Sequence, residues 1–310
     1  MTTKDKINVG VIGIGSIGKE HARVYSQLKN VNLIGVFDIN QKNACQVAKA
    51  FETRAFSKLN SLLKNLKAVS ICTPTTTHYQ VAKETIKRKI ATLVEKPMTS
   101  TVKEGKNLIK LARTKNVCLT VGHVERFNPI VKILESKIKN SKLISINITR
   151  VGPIPPCIKD VGVILDLSTH DIDLIRYLTD SNFATVHSVY TKGVNRHEDA
   201  AILIFKLTNG TIASIVTNWF TPYKVRKIEI ATMDKFLVGD FIKQEVVEFP
   251  HYSNKSSVAK NISIKKIEPL EEELKSFINA VSKNEKPAVD PQDALKAIEV
   301  ALKCTKINYQ

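Results

Sequence analysis

The sequence predicts an α/β protein, in which a doubly wound parallel sheet is followed by an α+β domain with a large, mainly antiparallel open sheet. A buried strand, a glycine-rich turn and a helix start occupy residues 7–28, and apolar strands and amphipathic helices alternate from there to residue 121. After Gly122, short strands follow one another with brief connections. We therefore predict a first domain at 1–121 and a second at 122–310, with the C-terminal helices free to pack back on the first.

The strands of the first domain are continuous apolar runs, as in sheets that helices cover on both faces, and its helices carry apolar residues at helical spacing. We predict strands at 7–12, 33–37, 68–72, 91–94 and 117–121, and helices at 17–28, 41–51, 58–64, 79–89 and 101–115. In the second domain we predict helices at 129–138, 166–178, 270–282 and 291–304, and strands at 143–151, 184–194, 199–207, 211–219, 225–232 and 236–249. A Pro-rich loop covers 153–156, and the open sheet is expected to bury a face against another subunit.

The glycine-rich turn has the spacing of a dinucleotide-binding loop in a Rossmann domain. Gly13 permits a tight turn, Gly15 lets the backbone approach a pyrophosphate, and Gly18 lets the helix pack closely on the strand. The start of the helix offers N–H groups and a positive dipole end to phosphates. The candidate cofactor-binding residues of this loop are Gly13, Ile14, Gly15, Ser16, Ile17 and Gly18.

Asp38 ends the second strand, 20 residues after Gly18. A carboxylate at this point can accept hydrogen bonds from ribose hydroxyls and would repel a 2′-phosphate. The next residues, Ile39 and Asn40, offer no arginine to hold that phosphate. The pattern favours NAD over NADP, although Asp38 could also cap the helix that begins near Gln41.

Two loops at the carboxyl ends of later strands are candidates for contact with the cofactor and substrate. The first loop follows the third strand and contributes Thr73, Pro74, Thr75 and His78. Glu95, Lys96 and Pro97 end the next strand, and a lysine held before proline can direct its ammonium at a substrate hydroxyl. The alternatives are a plain strand-to-helix loop with Thr77 as a helix cap, and a surface lysine.

Asp166 and His170 are four residues apart and would lie on one face of a helix. An imidazole can take the proton of a secondary alcohol as hydride leaves the same carbon, and the acid can orient the imidazole or hold substrate. The alternatives are an ordinary helical pair or a metal site with Asp171 or Asp173. Since no further ligand cluster supports a metal site, we predict no metal.

The net charge of +18 is concentrated in the first domain, which holds 21 of the 47 Lys and Arg residues but only 7 of the 29 Asp and Glu residues. These lysines are spread over helix faces without aromatic interleaving, so we predict attraction of anionic small molecules rather than nucleic-acid binding. The five cysteines are scattered and form no CxxC pair, which indicates reduced thiols in the cytoplasm. No apolar run has membrane-spanning length, so no membrane partner is expected.

Together, the GxGxxG loop, the Cys-Thr-Pro-Thr loop with His78, the Glu-Lys-Pro loop and the Asp166/His170 pair resemble the Gfo/Idh/MocA oxidoreductase family over nearly the whole chain. The resemblance implies a Rossmann domain followed by an α/β domain whose open sheet forms homodimer or homotetramer contacts. It also implies that Lys96, Asp166 and His170 are catalytic, with His170 as general base. Family members mostly oxidise or reduce one carbon of a sugar or cyclitol with a nicotinamide cofactor.

Segments 122–129, 150–153, 170–173 and 218–222 are similar to the nucleotide-sugar 3-dehydrogenases of that family. This implies oxidation of a secondary hydroxyl, C3 of UDP-N-acetylglucosamine or a close relative. A diphosphate needs cations and a uracil ring favours an aromatic surface. The candidate substrate-binding residues are Lys96, Arg126, Arg150, Asp166, His170, Trp219, Tyr223 and Arg226, with Lys224 as a further cation. Segment 232–236 lacks the glycine-bounded turn that relatives would show there.

Several alternatives stay open. Trp219 could be a core residue of the sheet, and Arg226 a charge on a strand face. The chain could be a free-sugar or inositol dehydrogenase, a reductase of a non-sugar molecule, or a non-catalytic NAD-binding regulator. The sequence leaves open the identity of the sugar, the direction of reaction and the subunit number.

Overall fold

The computed structural model describes residues 6–154, 161–194, 196–250 and 258–306. The chain divides into two compact units, Met1–His123 with Leu270–Leu295, and Val124–Pro269 with Lys296–Gln310. The predicted division after residue 121 places 270–295 in the second domain, whereas contacts within the structure place this segment in the first unit. No helix in the described part of the chain is both long enough and apolar enough to cross a membrane.

The first unit contains a six-stranded parallel sheet in the order β3-β2-β1-β4-β5-β6. Its strands are β1 Ile7–Ile12, β2 Val31–Phe37, β3 Arg54–Phe56, β4 Ala68–Ile71, β5 Ala91–Glu95 and β6 Leu119–Gly122. This order places the carboxyl ends of β1 and β4 side by side, where parallel sheets bind their ligands. The sequence missed β3, which has three partly exposed residues and is too short to show a period.

The helices between these strands are α1 Ser16–Gln27, α2 Gln41–Ala50, α3 Leu59–Leu63, α4 Thr75–Lys87 and α5 Val102–Lys115. Helix α4 begins four residues before the predicted start at residue 79. Thr77, the predicted cap, lies inside the first turn, where its hydroxyl donates to the carbonyl of Pro74 at 2.8 Å. The Thr-rich segment therefore forms the first helical turn, where the sequence predicts a loop.

The second unit contains an eight-stranded sheet in the order β14-β13-β12-β11-β7-β10-β9-β8. Its strands are β7 Leu143–Pro153, β8 Phe183–Thr191, β9 Ala200–Leu207, β10 Ile212–Asn218, β11 Phe220–Thr232, β12 Lys235–Asp240, β13 Glu245–Pro250 and β14 Lys260–Ile262. Only the pairing of β7 with β10 is parallel, and the other pairs among the described strands are antiparallel. The predicted fold class is confirmed. The short strand β14 was not predicted.

The predicted single strand 236–249 is two strands, β12 and β13, joined by a turn at 241–244. Asp240 makes this turn, because its Oδ1 accepts hydrogen bonds from the backbone N–H groups of Ile242 and Lys243 at 2.9 Å. Gln244 completes it in the left-handed region, with φ +55°. The turn contains no glycine or proline, so a continuous strand was the wrong prediction.

The turn between β11 and β12 also forms without glycine, although relatives would show a glycine-bounded turn there. The Thr232 hydroxyl donates to Asp234 Oδ1 at 2.9 Å and accepts from the backbone N–H of Lys235 at 3.0 Å. The Lys235 ammonium lies 2.9 Å from Asp234 Oδ2. Side-chain hydrogen bonds thus replace the backbone freedom of glycine at this hairpin.

One face of the second sheet packs on α6 Pro129–Ile138 and α7 Thr169–Thr179, forming an apolar core that includes Ile148, Leu203 and Trp219. The remaining helices are α8 Pro269–Lys283 and α9 Pro291–Cys304. The predicted Pro-rich loop ends outside the described residues, which resume at 161.

Candidate active site

The glycine loop between β1 and α1 has the geometry that its spacing predicts. Gly13 has φ +85°, and a Cβ there would lie 2.7 Å from the backbone nitrogen of Thr73. A Cβ on Gly18 would lie 1.9 Å from the carbonyl oxygen of Gly13. A Cβ on Gly15 would meet no atom of the described residues within 4 Å. Two of the glycines therefore permit close packing, and the third leaves open space beside the backbone.

The open space lies at the start of α1, whose first turn is exposed and contains no acidic side chain. The first N–H groups of a helix have no partner within the helix and carry the positive end of its dipole. Gly15, Ser16 and Ile17 present this part of the backbone. The loop is therefore suited to a pyrophosphate, and these residues fit a dinucleotide.

Asp38 braces the glycine loop. Its Oδ2 accepts a hydrogen bond from the Ile14 N–H at 2.6 Å, and its Oδ1 accepts from the Asn40 N–H at 2.7 Å. A carboxylate has about four lone-pair positions, so two remain for the hydroxyls of a ribose. The residue after it, Ile39, is 97% exposed and brings no positive charge. The residue that caps α2 is Asn40 and not Asp38, because the Asn40 side chain accepts a hydrogen bond from the backbone N–H of Asn43.

His78, a predicted cofactor contact, is buried between two loops. The side chain is 1% exposed and bridges two loops, with Nε2 at 2.7 Å from the Thr73 carbonyl and Nδ1 at 2.9 Å from the Pro97 carbonyl. Both partners are acceptors. Both nitrogens can donate to them only when the ring is protonated, because a neutral imidazole carries a single N–H. His78 therefore links two loops, and its contact with the cofactor stays a prediction. Thr73 is partly exposed, Pro74 is exposed and Thr75 is buried.

The Glu95-Lys96-Pro97 loop is held at both ends. The Lys96 N–H donates to Glu95 Oε2 at 3.3 Å, and the Pro97 carbonyl is the one bound by His78. The peptide bond between Lys96 and Pro97 is cis, and Lys96 is partly exposed. Glu95 was predicted to contact cofactor, but its carboxylate is buried and lies 3.0 Å from Nε2 of His21. Lys96 is thus a partly exposed cation on a braced backbone.

Asp166 and His170 lie in the second unit, at a change of helical geometry. Asp166 is in a π-helical turn, Ile164–Ser168, and His170 is in the first turn of α7. The predicted single helix from about 166 to 178 is therefore two segments. The two side chains are 7% and 9% exposed. Single π turns occur often at functional sites, where they alter the facing of a side chain.

The arginines of segments 122–129 and 150–153 are occupied by carboxylates of this chain. Arg126 makes two 2.6 Å hydrogen bonds to Asp173. Arg150 donates to Asp171 at 2.8 and 3.0 Å and to Glu125 at 2.7 Å, with a side chain that is 2% exposed. Both arginines were predicted to bind a diphosphate. Their contact with a substrate stays a prediction, although buried guanidinium groups in ion pairs are less available to a ligand than exposed ones.

Charges in this network shift the pKa values of its members. Burial lowers the pKa of Arg150, but Asp171 and Glu125 outweigh burial and raise it above its usual range. Burial raises the pKa of Asp171 to about 6, against the opposing effect of Arg150. The network thus joins α7, β7 and the 3-10 turn Val124–Phe127 through a few polar side chains.

The remaining predicted substrate residues divide into one buried and two accessible side chains. Trp219 is 3% exposed and belongs to the apolar core, which is the alternative that the sequence leaves open for it. Tyr223 is 67% exposed, and the Arg226 side chain is 36% exposed. Arg226 lies 3.4 Å from Glu125 and interacts with the charge of Asp166, while burial and the charge of Arg150 lower its pKa.

His21 and Glu273 are not among the residues that the sequence predicts for the site, and they lie with Glu95 in the first unit. Among the described residues these three form the one group with metal-ligand chemistry, their ligand atoms lying within 4.8 Å of one another. A signal existed in α8, where Glu273 occupies an apolar position beside Leu270, Leu274 and Phe277. Asp171 and Asp173, the ligands of the alternative metal site, bind arginines instead.

Comparisons with known proteins agree with this geometry. The family described as "Oxidoreductase family, NAD-binding Rossmann fold" matches residues 7–123, and the "GFO/IDH/MocA C-terminal domain" matches residues 157–235. UDP-N-acetylglucosamine 3-dehydrogenase of Acidithiobacillus ferrooxidans is 30% identical over 283 residues, 89% of each protein. A solved structure of that enzyme superposes with a TM-score of 0.92 at 28% identity, covering 98% of this chain and 97% of the other. Glucose-6-phosphate 3-dehydrogenase of Bacillus subtilis is 28% identical over 234 residues, 68% of this chain and 67% of the relative.

Proposed function

The chain belongs to the Gfo/Idh/MocA oxidoreductase family, and on this basis we propose that it oxidises the C3 hydroxyl of UDP-N-acetylglucosamine or a close relative with NAD. Because its relatives are sugar and polyol dehydrogenases, the chain is an oxidoreductase that acts on a CH–OH group. The observation that carries the finer proposal is the similarity to an enzyme named for this reaction, which extends over 89% of both proteins. The second relative is also named as a 3-dehydrogenase of a sugar.

The proposed preference for NAD rests on Asp38. Its two oxygens hold the N–H groups of Ile14 and Asn40 while keeping capacity for two ribose hydroxyls. A 2′-phosphate would bring a second negative charge to the same place, and the adjacent Ile39 offers nothing to neutralise it. The N–H groups at the start of α1 are assigned to the pyrophosphate.

The proposed chemistry follows the roles that family membership suggests for Lys96, Asp166 and His170. NAD, when bound, supplies the acceptor for the hydride. His170 takes the hydroxyl proton, Asp166 orients the imidazole or the substrate, and the Lys96 ammonium stabilises the oxygen as negative charge develops on it.

For recognition of the nucleotide we assign Arg226 and Tyr223, with Lys224 as a further cation. These side chains lie on β11, and Arg226 and Tyr223 combine exposure with the charge and aromatic surface that a UDP group requires. Arg126 and Arg150 are assigned a different part, which is to hold α7 and therefore His170 in place. The substrate cations are thus fewer than the sequence suggests.

We further propose that the chain forms a homo-oligomer through the open face of the second sheet and acts in the cytoplasm. Ile202 and Ile204 of β9 are 50% and 52% exposed on this face, and Val189 and Val216 pair with Ile202 from the neighbouring strands. Apolar side chains arranged in this way favour burial against another copy. Scattered cysteines, four of them free in the described chain, fit a reducing compartment.

The test is to incubate the protein with NAD and UDP-N-acetylglucosamine and to follow NADH absorbance together with the mass of the sugar. We expect a product lighter by two hydrogen atoms. Lys96→Ala should lower kcat by about 100- to 1,000-fold, the usual cost of one oxyanion-stabilising group. Its dissociation constant for NAD should stay unchanged. Lys103→Ala, at an exposed lysine of α5, is the control and should keep full activity.

The second candidate is a dehydrogenase of a sugar without a nucleotide, such as a free sugar, a sugar phosphate or inositol. The similarity to glucose-6-phosphate 3-dehydrogenase favours it. Turnover of glucose 6-phosphate or myo-inositol, with none of the UDP-sugar, would replace the first proposal by this one. NAD binding without turnover of any of them would favour a non-catalytic regulator.

A further inference from the structure

A buried polar cluster in the first unit has no part in the proposed chemistry as assigned so far. It consists of His21 on α1, Glu95 at the end of β5 and Glu273 on α8. These residues are 0%, 9% and 2% exposed. Burying two carboxyl groups is costly unless charges are paired or protons are taken up, so the cluster requires an explanation.

The histidine acts as a hydrogen-bond donor in this cluster. Its Nε2 lies 3.0 Å from Glu95 Oε1, whereas Nδ1 is buried and has no partner among the described residues. A proton on Nδ1 would leave a buried donor unsatisfied, so the tautomer with its proton on Nε2 fits best. A metal-bound histidine normally donates its other nitrogen to a partner, and this one has none in the described chain, which weighs against a metal.

Glu273 is placed where a negative charge would be unpaired. Both of its carboxyl oxygens are buried and accept no hydrogen bond from the residues that the structure describes. Burial and the charge of Glu95 raise the pKa of Glu273 well above its usual range. The titratable groups that face it are His21 and Tyr25 on α1, Cys72 after β4, and Glu95 on β5. None of these is a lysine or arginine, so a neutral, protonated Glu273 is the arrangement that costs least.

Glu95 has the opposite environment. Burial raises its pKa, but the hydrogen bond from His21 and the charges of Lys96 and His78 outweigh burial, and the pKa of Glu95 lies below its usual range. Its second oxygen accepts the Lys96 N–H at 3.3 Å. The carboxylate has room because residue 122 is glycine, where a Cβ would lie 2.5 Å from Glu95 Oε1. One ionised carboxylate therefore joins His21 to the backbone of Lys96.

We propose that Glu95 is a positioning residue for Lys96, held as the single anion of the cluster by His21 and by a protonated Glu273. This inference rests on the proposed function, since it takes its importance from the role of Lys96. In this proposal, His21 and Glu273 keep Glu95 ionised and in place, and no bound ligand is needed to explain their burial. The cluster fixes the backbone from which the Lys96 ammonium extends.

Protonation of Glu273 can be tested without any substrate. The infrared spectrum of the intact protein at neutral pH should contain a carbonyl band of a protonated carboxyl group that Glu273→Gln lacks. The unfolded chain loses this proton at lower pH than the folded protein, so the unfolding free energy should fall as pH rises above the usual range of glutamate. Glu273→Gln should remove that part of the fall. Glu272→Gln, the partly exposed neighbour on α8, should change neither result.

Positioning by Glu95 is tested by kinetics of Glu95→Gln with NAD and UDP-N-acetylglucosamine. Because the misplaced lysine would still bind substrate, we expect kcat to fall about 10- to 100-fold while KM for the sugar changes little. The dissociation constant for NAD should stay within about twofold, since Glu95 contacts backbone and His21 rather than the cofactor. Unchanged kcat in a folded Glu95→Gln variant would overturn the proposal.

The spectroscopic and kinetic experiments distinguish an error in this inference from an error in the proposed function. If the wild-type protein turns over no UDP-sugar, the proposed function fails, and the infrared and pH measurements still decide the state of Glu273. A missing carboxyl band overturns the inference even in an active enzyme. So does one equivalent of zinc in the purified protein that Glu273→Gln no longer binds, because the cluster would then be a metal site.

Discussion

At the scale of single residues, Asp38 shows how one side chain can hold two backbone segments in place. It braces the glycine loop through Ile14 and the start of α2 through Asn40. Both bonds come from backbone N–H groups, so the carboxylate is already in place before a ribose arrives. Preorganised acceptors cost little further ordering when the ligand binds.

We expect Asp38→Asn to weaken NAD binding about 10- to 100-fold, which corresponds to loss of about 1.5–3 kcal/mol for hydrogen bonds to a charged group. NADP should be less affected, because the repulsion of its 2′-phosphate disappears together with the carboxylate. The measurement is the dissociation constant of each cofactor by fluorescence titration. A variant that still discriminates against NADP as strongly as the wild type would show that Asp38 does not select the cofactor.

Sequence patterns identified residue types well but could not identify their partners. Gly13 and Gly18 have the positive φ and the close approach, respectively, that their spacing predicts. His78 and Arg150 have the chemistry of ligand-binding residues, yet each is buried against groups far away in the chain, Pro97 and Asp171. Such pairings depend on tertiary contacts, which a single sequence does not encode locally. For Glu273 the sequence shows only an acidic residue on the apolar face of a helix, and it does not show that the carboxyl group is buried.

At the scale of elements, the segment of residues 122–129 is a structural connection within the second unit. Glu125 and Arg126 reach β7 and α7 through Arg150 and Asp173, and the Asn128 side chain donates to the Phe241 carbonyl at 3.0 Å. The family resemblance suggested substrate binding for this segment. Its described contacts instead brace the helix that carries His170.

We expect Arg150→Met to destabilise the protein by about 3–5 kcal/mol, because it leaves the carboxyl groups of Glu125 and Asp171 buried without their cation. The free energy of unfolding is measured in urea, and Arg113→Met at an exposed position of α5 is the control. A stable Arg150→Met variant with a raised KM for the UDP-sugar would instead support the prediction that Arg150 binds the substrate.

At the scale of the whole molecule, the two units differ in what their surfaces offer. The first 121 residues hold most of the excess positive charge, and such a charge attracts anionic small molecules without specific contacts. The second unit offers a sheet with one covered and one open face, and the open face has an aliphatic row across β8, β9 and β10.

The apolar row predicts that subunit association depends on Ile204. This side chain is 52% exposed and lies between His187 and Ser214, its neighbours on β8 and β10. Ile204→Lys would place a charge in a buried interface, where it has to lose its water without gaining a partner. We expect a homo-oligomer in the wild type and a smaller assembly in the variant, measured by sedimentation velocity. Ile39→Lys, at an exposed isoleucine of the first unit, should sediment as the wild type does. If Ile204→Lys also sediments unchanged, the open face is not the interface.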